Sequence, residues 1–259
     1  MLHARSSDGT KIAFEKLGVG PALLILGGSL ADHHFYVPLA EELARDFTVY
    51  NVDRRGRGDS GDTPPWEVGR EVDDVAAVVA EAGGRAHVYG HSAGSALALR
   101  AAAAGVGIDR LVLADPPFTP PGGDEAAARA DHAKQTQHIE RLNAAGNYRA
   151  SVKFFLSDYG LPDDALEEML SSPAGESMLA AARTLPYDYA MLGDGIVPTD
   201  LAANVKVPTL LLAAEDQPST ARALEQALPH GEVVLTHAST HELAPSHIAA
   251  LVTPFLNRR

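Results

Sequence analysis

Apolar residues along the chain fall into two alternating rhythms. Two short runs, Leu2–Arg5 and Lys11–Lys16, flank Asp8-Gly9, a pair that suits a tight hairpin turn. Ala22–Leu26 is continuously apolar, too short for a helix, and predicts a strand buried on both faces. Phe35–Asp46 then carries apolar residues at helical spacing, and Phe47–Val52 is again a buried strand. The same reading gives helix over Val68–Ala82, strand over Ala86–Tyr89, helix over Ser95–Ala104 and strand over Arg110–Ala114. Strand and helix in strict alternation predict an α/β fold with a doubly wound, mostly parallel sheet.

The rhythm stops at Asp115. From Pro116 to about Asp200 the pattern is helical throughout, and Pro116-Pro117, Pro120-Pro121-Gly122-Gly123 and Pro198 punctuate its two ends. Alternation resumes with strands at Pro208–Ala213 and Glu232–Thr236 and helices at Thr220–Leu228 and His247–Leu256. The chain therefore reads as one α/β core, residues 1–115 and 201–259, interrupted by a helical cap over 116–200.

Composition narrows the function. At 259 residues, 46% of them hydrophobic, the chain is long enough for one large core. Its formal net charge of -13 disfavours nucleic acid and anionic lipid as partners. The absence of cysteine excludes disulfides, thiolate metal sites and a cysteine nucleophile. The N-terminus has no apolar segment of the signal-peptide kind, and Arg100 interrupts the best candidate for a membrane span. These features predict a cytoplasmic protein, monomer or homodimer, that acts on a small molecule without a cofactor. The eleven histidines lack the spaced partners of a metal site, and the adjacent pair His33-His34 reads as surface or pocket-lining.

Gly90-His91-Ser92-Ala93-Gly94 has the form Gly-x-Ser-x-Gly and sits between a predicted strand and a predicted helix. A serine on so sharp a turn is forced into strained backbone geometry, with its hydroxyl projecting above the sheet edge at the positive end of a helix. In this context the sequence resembles the α/β-hydrolase superfamily over nearly its whole length. Leu24-Ile-Leu-Gly-Gly-Ser29 is similar to the superfamily's apolar strand and oxyanion loop, and Asp53-Arg-Arg-Gly-Arg-Gly-Asp-Ser60 to its Asp-x-Arg-Gly-x-Gly-x-Ser turn. The helical insertion corresponds to its cap.

The resemblance implies a catalytic triad. Ser92 is the nucleophile, and the base lies in the loop after the last strand, where His241 is central, His237 sits at the strand end and His247 falls inside the final helix. The acid is open between two stations. Most relatives place it after the strand that follows the cap, where this chain has Glu215-Asp216-Gln217, with the neutral Gln217 at the aligned position and Asp216 one residue away. A minority, including zearalenone-type lactone hydrolases, use the end of the preceding strand, which here is Asp115. Asp115 is the preferred acid and Asp216 the alternative. The oxyanion hole falls to the backbone N–H groups of Ser29 and Ala93, with Gly27 where relatives often carry a histidine.

The Asp53–Gly56 arginines read as structural, and Trp66 as core or pocket lining. Seven aromatics lie in the cap (Phe118, Tyr148, Phe154, Phe155, Tyr159, Tyr187 and Tyr189), and with Met169, Met178 and Met191 they predict an apolar pocket over Ser92. The expected activity is hydrolysis of an ester or lactone of a small, largely apolar substrate. A thioesterase, a C–C bond hydrolase, a cofactor-free peroxidase-like enzyme and a non-catalytic binding member are the alternatives. A serine nucleophile disfavours the aspartate-dependent dehalogenases and epoxide hydrolases.

Overall fold

The computed structural model describes residues 1–157 and 160–258. Eight strands form one sheet in the order β1-β2-β4-β3-β5-β6-β7-β8. Its first edge is the hairpin of β1 (Leu2–Arg5) and β2 (Lys11–Leu17), and β2 runs antiparallel to β4 (Thr48–Val52). All remaining pairs are parallel, through β3 (Ala22–Leu26), β5 (Ala86–His91), β6 (Ile108–Ala114), β7 (Thr209–Ala214) and β8 (Gly231–Thr236). The doubly wound, mostly parallel α/β sheet expected from the alternation is the fold observed.

Helices cover both faces because the central strands are buried on both. In β3, Leu24 and Leu26 enter the core beneath α2 (Val68–Glu81), α3 (Ala93–Ala103) and α10 (Ser219–Ala227). Leu23 and Ile25 point the other way, toward α1 (His33–Leu43) and α11 (Pro245–Leu256). This period-2 split is what a continuous apolar run produces in a strand. Among the described residues no helix is long and apolar enough to cross a membrane.

Between β6 and β7 the chain adds α4 (Glu125–Ala144), α5 (Tyr148–Ser157), α6 (Asp163–Leu170), α7 (Pro173–Ala181) and α8 (Leu185–Met191), then a short α9 (Thr199–Ala202). These helices build a separate apolar cluster from Ile139, Val152, Leu170, Ala182 and Leu185. Ala202 of α9 packs into the main core instead. Met191, expected over the site, is also fully buried in that core. Tyr159 lies outside the described residues.

Buried charge fastens the helical layer to the sheet. Arg54 donates from Nε to Glu71 (2.8 Å) and from Nη1 to Asp188 of α8 (2.9 Å). Arg57 donates to the same Asp188 oxygen (2.8 Å) and to the Thr184 hydroxyl (3.0 Å). Arg54, Arg57, Glu71 and Asp188 are all buried, and their two cations and two anions balance. Arg55 faces the opposite side, with both oxygens of Asp74 at 2.7 Å and Asp8 at 3.0 Å. The arginines are structural, as expected. His33 departs from the expectation: it is buried, and its ring bonds both oxygens of Asp53 at 2.9 and 3.0 Å, while His34 is exposed. Trp66 stacks on Tyr187 with 4.6 Å between ring centroids and donates to Glu71.

Burial pushes the Asp188 carboxyl up, but Arg57 and Arg54 outweigh it and hold the pKa below the ordinary aspartate value. Its contribution to stability is therefore complete above the unfolded pKa of about 4 and is lost as the pH falls below that. Asp188→Asn leaves two buried guanidiniums short of an anion. It is expected to cost about 3–5 kcal/mol in urea unfolding at neutral pH, and less near pH 3.

Candidate active site

The site is built where β5 turns into α3. The strand runs to His91, two residues beyond the apolar pattern, and the helix starts at Ala93 rather than Ser95. Ser92 alone makes the connection, at φ 51° and ψ -123°, a left-handed backbone that costs a non-glycine residue about 1–3 kcal/mol. Its neighbours must be glycine for steric reasons. A Cβ on Gly90 would lie 2.6 Å from the Gly94 carbonyl oxygen, and one on Gly94 would lie 2.1 Å from that of Leu26. Because Ala93 is the first helical residue, its N–H has no acceptor within the helix.

The loop after β3 packs directly on this turn. A Cβ on Gly28 would sit 3.1 Å from the Ser92 Cβ. Ser29 follows and lines two cavities with Ser92, and Leu30 beyond it is left-handed at φ 59°. The Gly28 N–H is already engaged: it donates to the Tyr36 hydroxyl at 2.9 Å, and that hydroxyl lies 2.8 Å from His91 Nδ1. Ser29 and Ala93 line one cavity with Ser92.

His241 and Asp115 approach from the other side. Asp115 ends β6 in a left-handed conformation (φ 45°), and its N–H is held by Leu212 of the neighbouring strand at 2.9 Å. Its Oδ2 accepts three short bonds from the loop between β8 and α11: the Ser239 hydroxyl (2.6 Å), the Thr240 N–H (2.6 Å) and the Thr240 hydroxyl (2.7 Å). The next residue is His241. Nitrogens of His91 and His241 and an oxygen of Asp115 all lie within 4.8 Å of one another, and the two imidazole centroids are 4.1 Å apart. Such a trio has the donor types of a metal site; within it Asp115 Oδ2 is engaged by the histidine loop and His91 Nδ1 by Tyr36.

Asp216 and Gln217 line the same cavity as Ser92, Asp115 and His241, yet both are exposed on the turn after β7. Glu215 is exposed too, its N–H tied to the Thr236 carbonyl. Of the candidate acids, Asp115 is the one bonded to the histidine loop. His237 stacks loosely on His247, with 5.3 Å between centroids.

A cavity of about 410 Å³ spans Ser29, Ser92 and Ala93 beneath the helical layer. Its far wall differs from the apolar one expected: Asp131, His132 and Gln135 of α4 contribute beside Phe155 and Tyr189. Met178 instead lines a smaller recess of about 130 Å³, with Leu30 and Phe35. Four contributors gave no warning in the sequence. Tyr36 reads as one more apolar-face residue of α1, Asp188 as a polar residue within a helix, and Ser239-Thr240 as ordinary loop.

The sequence profile of the alpha/beta hydrolase family matches residues 22–252, and the chain belongs to that family. Its structure is similar to an alpha/beta hydrolase from Sphaerobacter thermophilus DSM 20745, at 39% identity and a TM-score of 0.84, over 98% of this chain and 99% of the other. The enol-lactonase from Burkholderia xenovorans LB400 shares the fold at 20% identity and a TM-score of 0.67, covering 99% of this chain and all of the other. Among curated proteins, N-formylmaleamate deformylase from Pseudomonas putida KT2440 is 39% identical over 132 residues, 49% of this chain. The match spans about half the length of that relative (47%).

Removal of surrounding water pushes the His241 pKa below its ordinary value, although part of the ring is open to solvent, and the charges of Asp115 and Glu242 oppose the shift. An NMR titration of the imidazole is expected to give a midpoint below about 6.5 in the wild type. Asp115→Asn removes the larger of the two opposing charges and should move that midpoint further down.

Proposed function

We propose that the enzyme is a serine hydrolase that cleaves an ester or lactone of a small substrate through an acyl-enzyme on Ser92. The observation that carries this reading is the convergence on one cavity of a left-handed serine and a histidine whose loop is clamped by a strand-end carboxylate. His241 takes the Ser92 proton as the oxygen attacks the carbonyl carbon. The N–H groups of Ser29 and Ala93 receive the developing oxyanion, each contributing on the order of 3 kcal/mol. Asp115 orients the imidazole and balances its charge, and His241 then protonates the departing alkoxide. Water, deprotonated by the same histidine, attacks the acyl carbon and frees Ser92.

The relatives extend the range of bonds. A deformylase at 39% identity over half the chain favours a second reading, hydrolysis of a carbon–nitrogen bond by the same acyl-enzyme route. It differs in the leaving group alone, an amine that His241 must protonate before it departs. The mixed wall of the 410 Å³ cavity supports a substrate with hydrogen-bonding groups rather than a purely apolar one.

A fluorophosphonate probe is expected to label the wild-type protein and to leave Ser92→Ala unlabelled. No labelling, and no turnover of a small ester, lactone or formamide, would set the reading aside in favour of a binding role. Among the acids, Asp115→Asn should lower kcat by up to about 10⁴-fold, and Asp216→Asn by far less. The reverse ranking would assign the acid to the turn after β7.

A further inference from the structure

Gly27 and Tyr36 form a matched pair. A Cβ on Gly27 would lie 2.6 Å from Tyr36 Cε2 and within 3.4 Å of two further ring atoms, so the phenol ring occupies the space a side chain at residue 27 would need. Tyr36 is 5% exposed, and its hydroxyl is the sole acceptor of the Gly28 N–H among the described residues. The second partner of that hydroxyl, His91 Nδ1, belongs to the residue immediately before Ser92. One phenolic oxygen therefore ties the loop after β3 to the nucleophile turn.

We infer that Tyr36 is the positioning residue of the oxyanion loop: by accepting from Gly28 and bonding His91 it sets where the next amide, that of Ser29, points relative to Ser92. The inference rests on the hydrolase reading for its effect on rate, but the loop geometry stands without it. Three features demand such a brace. Gly27-Gly28 is a pair with more backbone freedom than any other, and Leu30 must be held left-handed. Gly28 also presses on Ser92, so a small drift of the loop displaces the hole from the nucleophile.

The hydrogen-bond roles can be assigned. Burial raises the Tyr36 phenol pKa and lowers that of His91, so both are neutral at pH 7. The Tyr36 oxygen accepts from Gly28 N–H and has one proton to give, which goes to His91 Nδ1. His91 then carries its own proton on Nε2, a buried atom with no partner among the described residues, on the ring that packs against His241. A neutral His91 fixed in this tautomer fills space beside the base without competing for the Ser92 proton.

The test is Tyr36→Phe, which keeps the ring and removes the oxygen, beside Val252→Ala as a control that loosens the core under α11 away from the site. Both should lower Tm by a few degrees. With p-nitrophenyl acetate, Tyr36→Phe is expected to reduce kcat about 10- to 100-fold with KM within threefold, well below the melting transition, and to slow fluorophosphonate labelling in parallel. Val252→Ala should keep the wild-type kcat. Hydrogen exchange of the peptide spanning residues 27–31 should rise at least tenfold in Tyr36→Phe and stay unchanged in the control. A Tyr36→Phe enzyme with kcat within twofold of wild type would overturn the inference. If the wild type neither turns over nor labels, the hydrolase reading fails by itself; the exchange data still decide on Tyr36, and unchanged exchange overturns the positioning role.

Discussion

Ser92 is held in a left-handed backbone between a strand and a helix, and much of the molecule is arranged to make that single conformation affordable. The strain is released if β5 and α3 separate, so both must be clamped. Gly90 lets the helix approach the strand, and Gly94 lets the loop after β3 approach the helix, each at distances no side chain would permit. The Ser92 N–H is bonded to Ala114 of β6 at 2.9 Å and its carbonyl to the Ser95 hydroxyl at 2.6 Å. Beneath them lies a core of fully buried Val88, Ala96, Leu97 and Leu113, which holds the strand and helix together. Strain of this size persists only where packing over-determines the backbone, and here it is over-determined from three directions.

The sheet supplies position, and the helical layer is attached by charge. Apolar contact between two layers tolerates sliding, whereas a carboxylate shared by two guanidiniums does not. Asp188 joins α8 to Arg54 and Arg57 in one orientation, and Arg54 also reaches the Gly27 carbonyl at 3.3 Å. The same cluster therefore steadies both the roof of the cavity and the loop that carries Ser29. Because its charges cancel, the cluster adds little field at the site. The negative surface of the chain and the neutral interior of the cluster are thus compatible.

Which parts of this were legible in the sequence follows from the range of the interactions involved. The strands β3 and β7 are apolar on both faces and could be read from the residue pattern alone, and Gly-x-Ser-x-Gly located the turn because sterics dictate those glycines. Boundaries moved where capping overrode periodicity. Asp32 accepts from the His34 N–H at 3.0 Å and starts α1 two residues early, whereas α3 starts two residues before Ser95 without a side-chain cap from Ser92. The brace at Tyr36 was hidden because a tyrosine on the apolar face of a helix, in step with Leu39 and Leu43, looks the same whether its hydroxyl is used or idle. Asp188 was hidden because its partners lie more than 130 positions away in the chain. The polar wall of α4 was masked by the aromatics and methionines around it, several of which pack within the cap rather than over the serine.

The two stations for the acid illustrate how a fold can move one function across a strand. β6 and β7 are adjacent and parallel, so carboxylates at their C-terminal ends both face the cavity that holds His241. What separates them is the support each receives. Asp115 is fixed by its own N–H to β7, and its left-handed backbone turns its carboxylate onto Ser239 and Thr240. Asp216 has an exposed turn beneath it, and the residue aligned with the usual acid is an amide. A carboxylate that orients an imidazole must itself be oriented, because a freely rotating one spends entropy at every turnover. In the proposed triad the clamp acts on the loop as well as on the acid. Three bonds to one oxygen place residue 240, and the backbone then delivers His241 one residue later. That coupling gives the strand-end station an advantage that the more common station, in this chain, does not have.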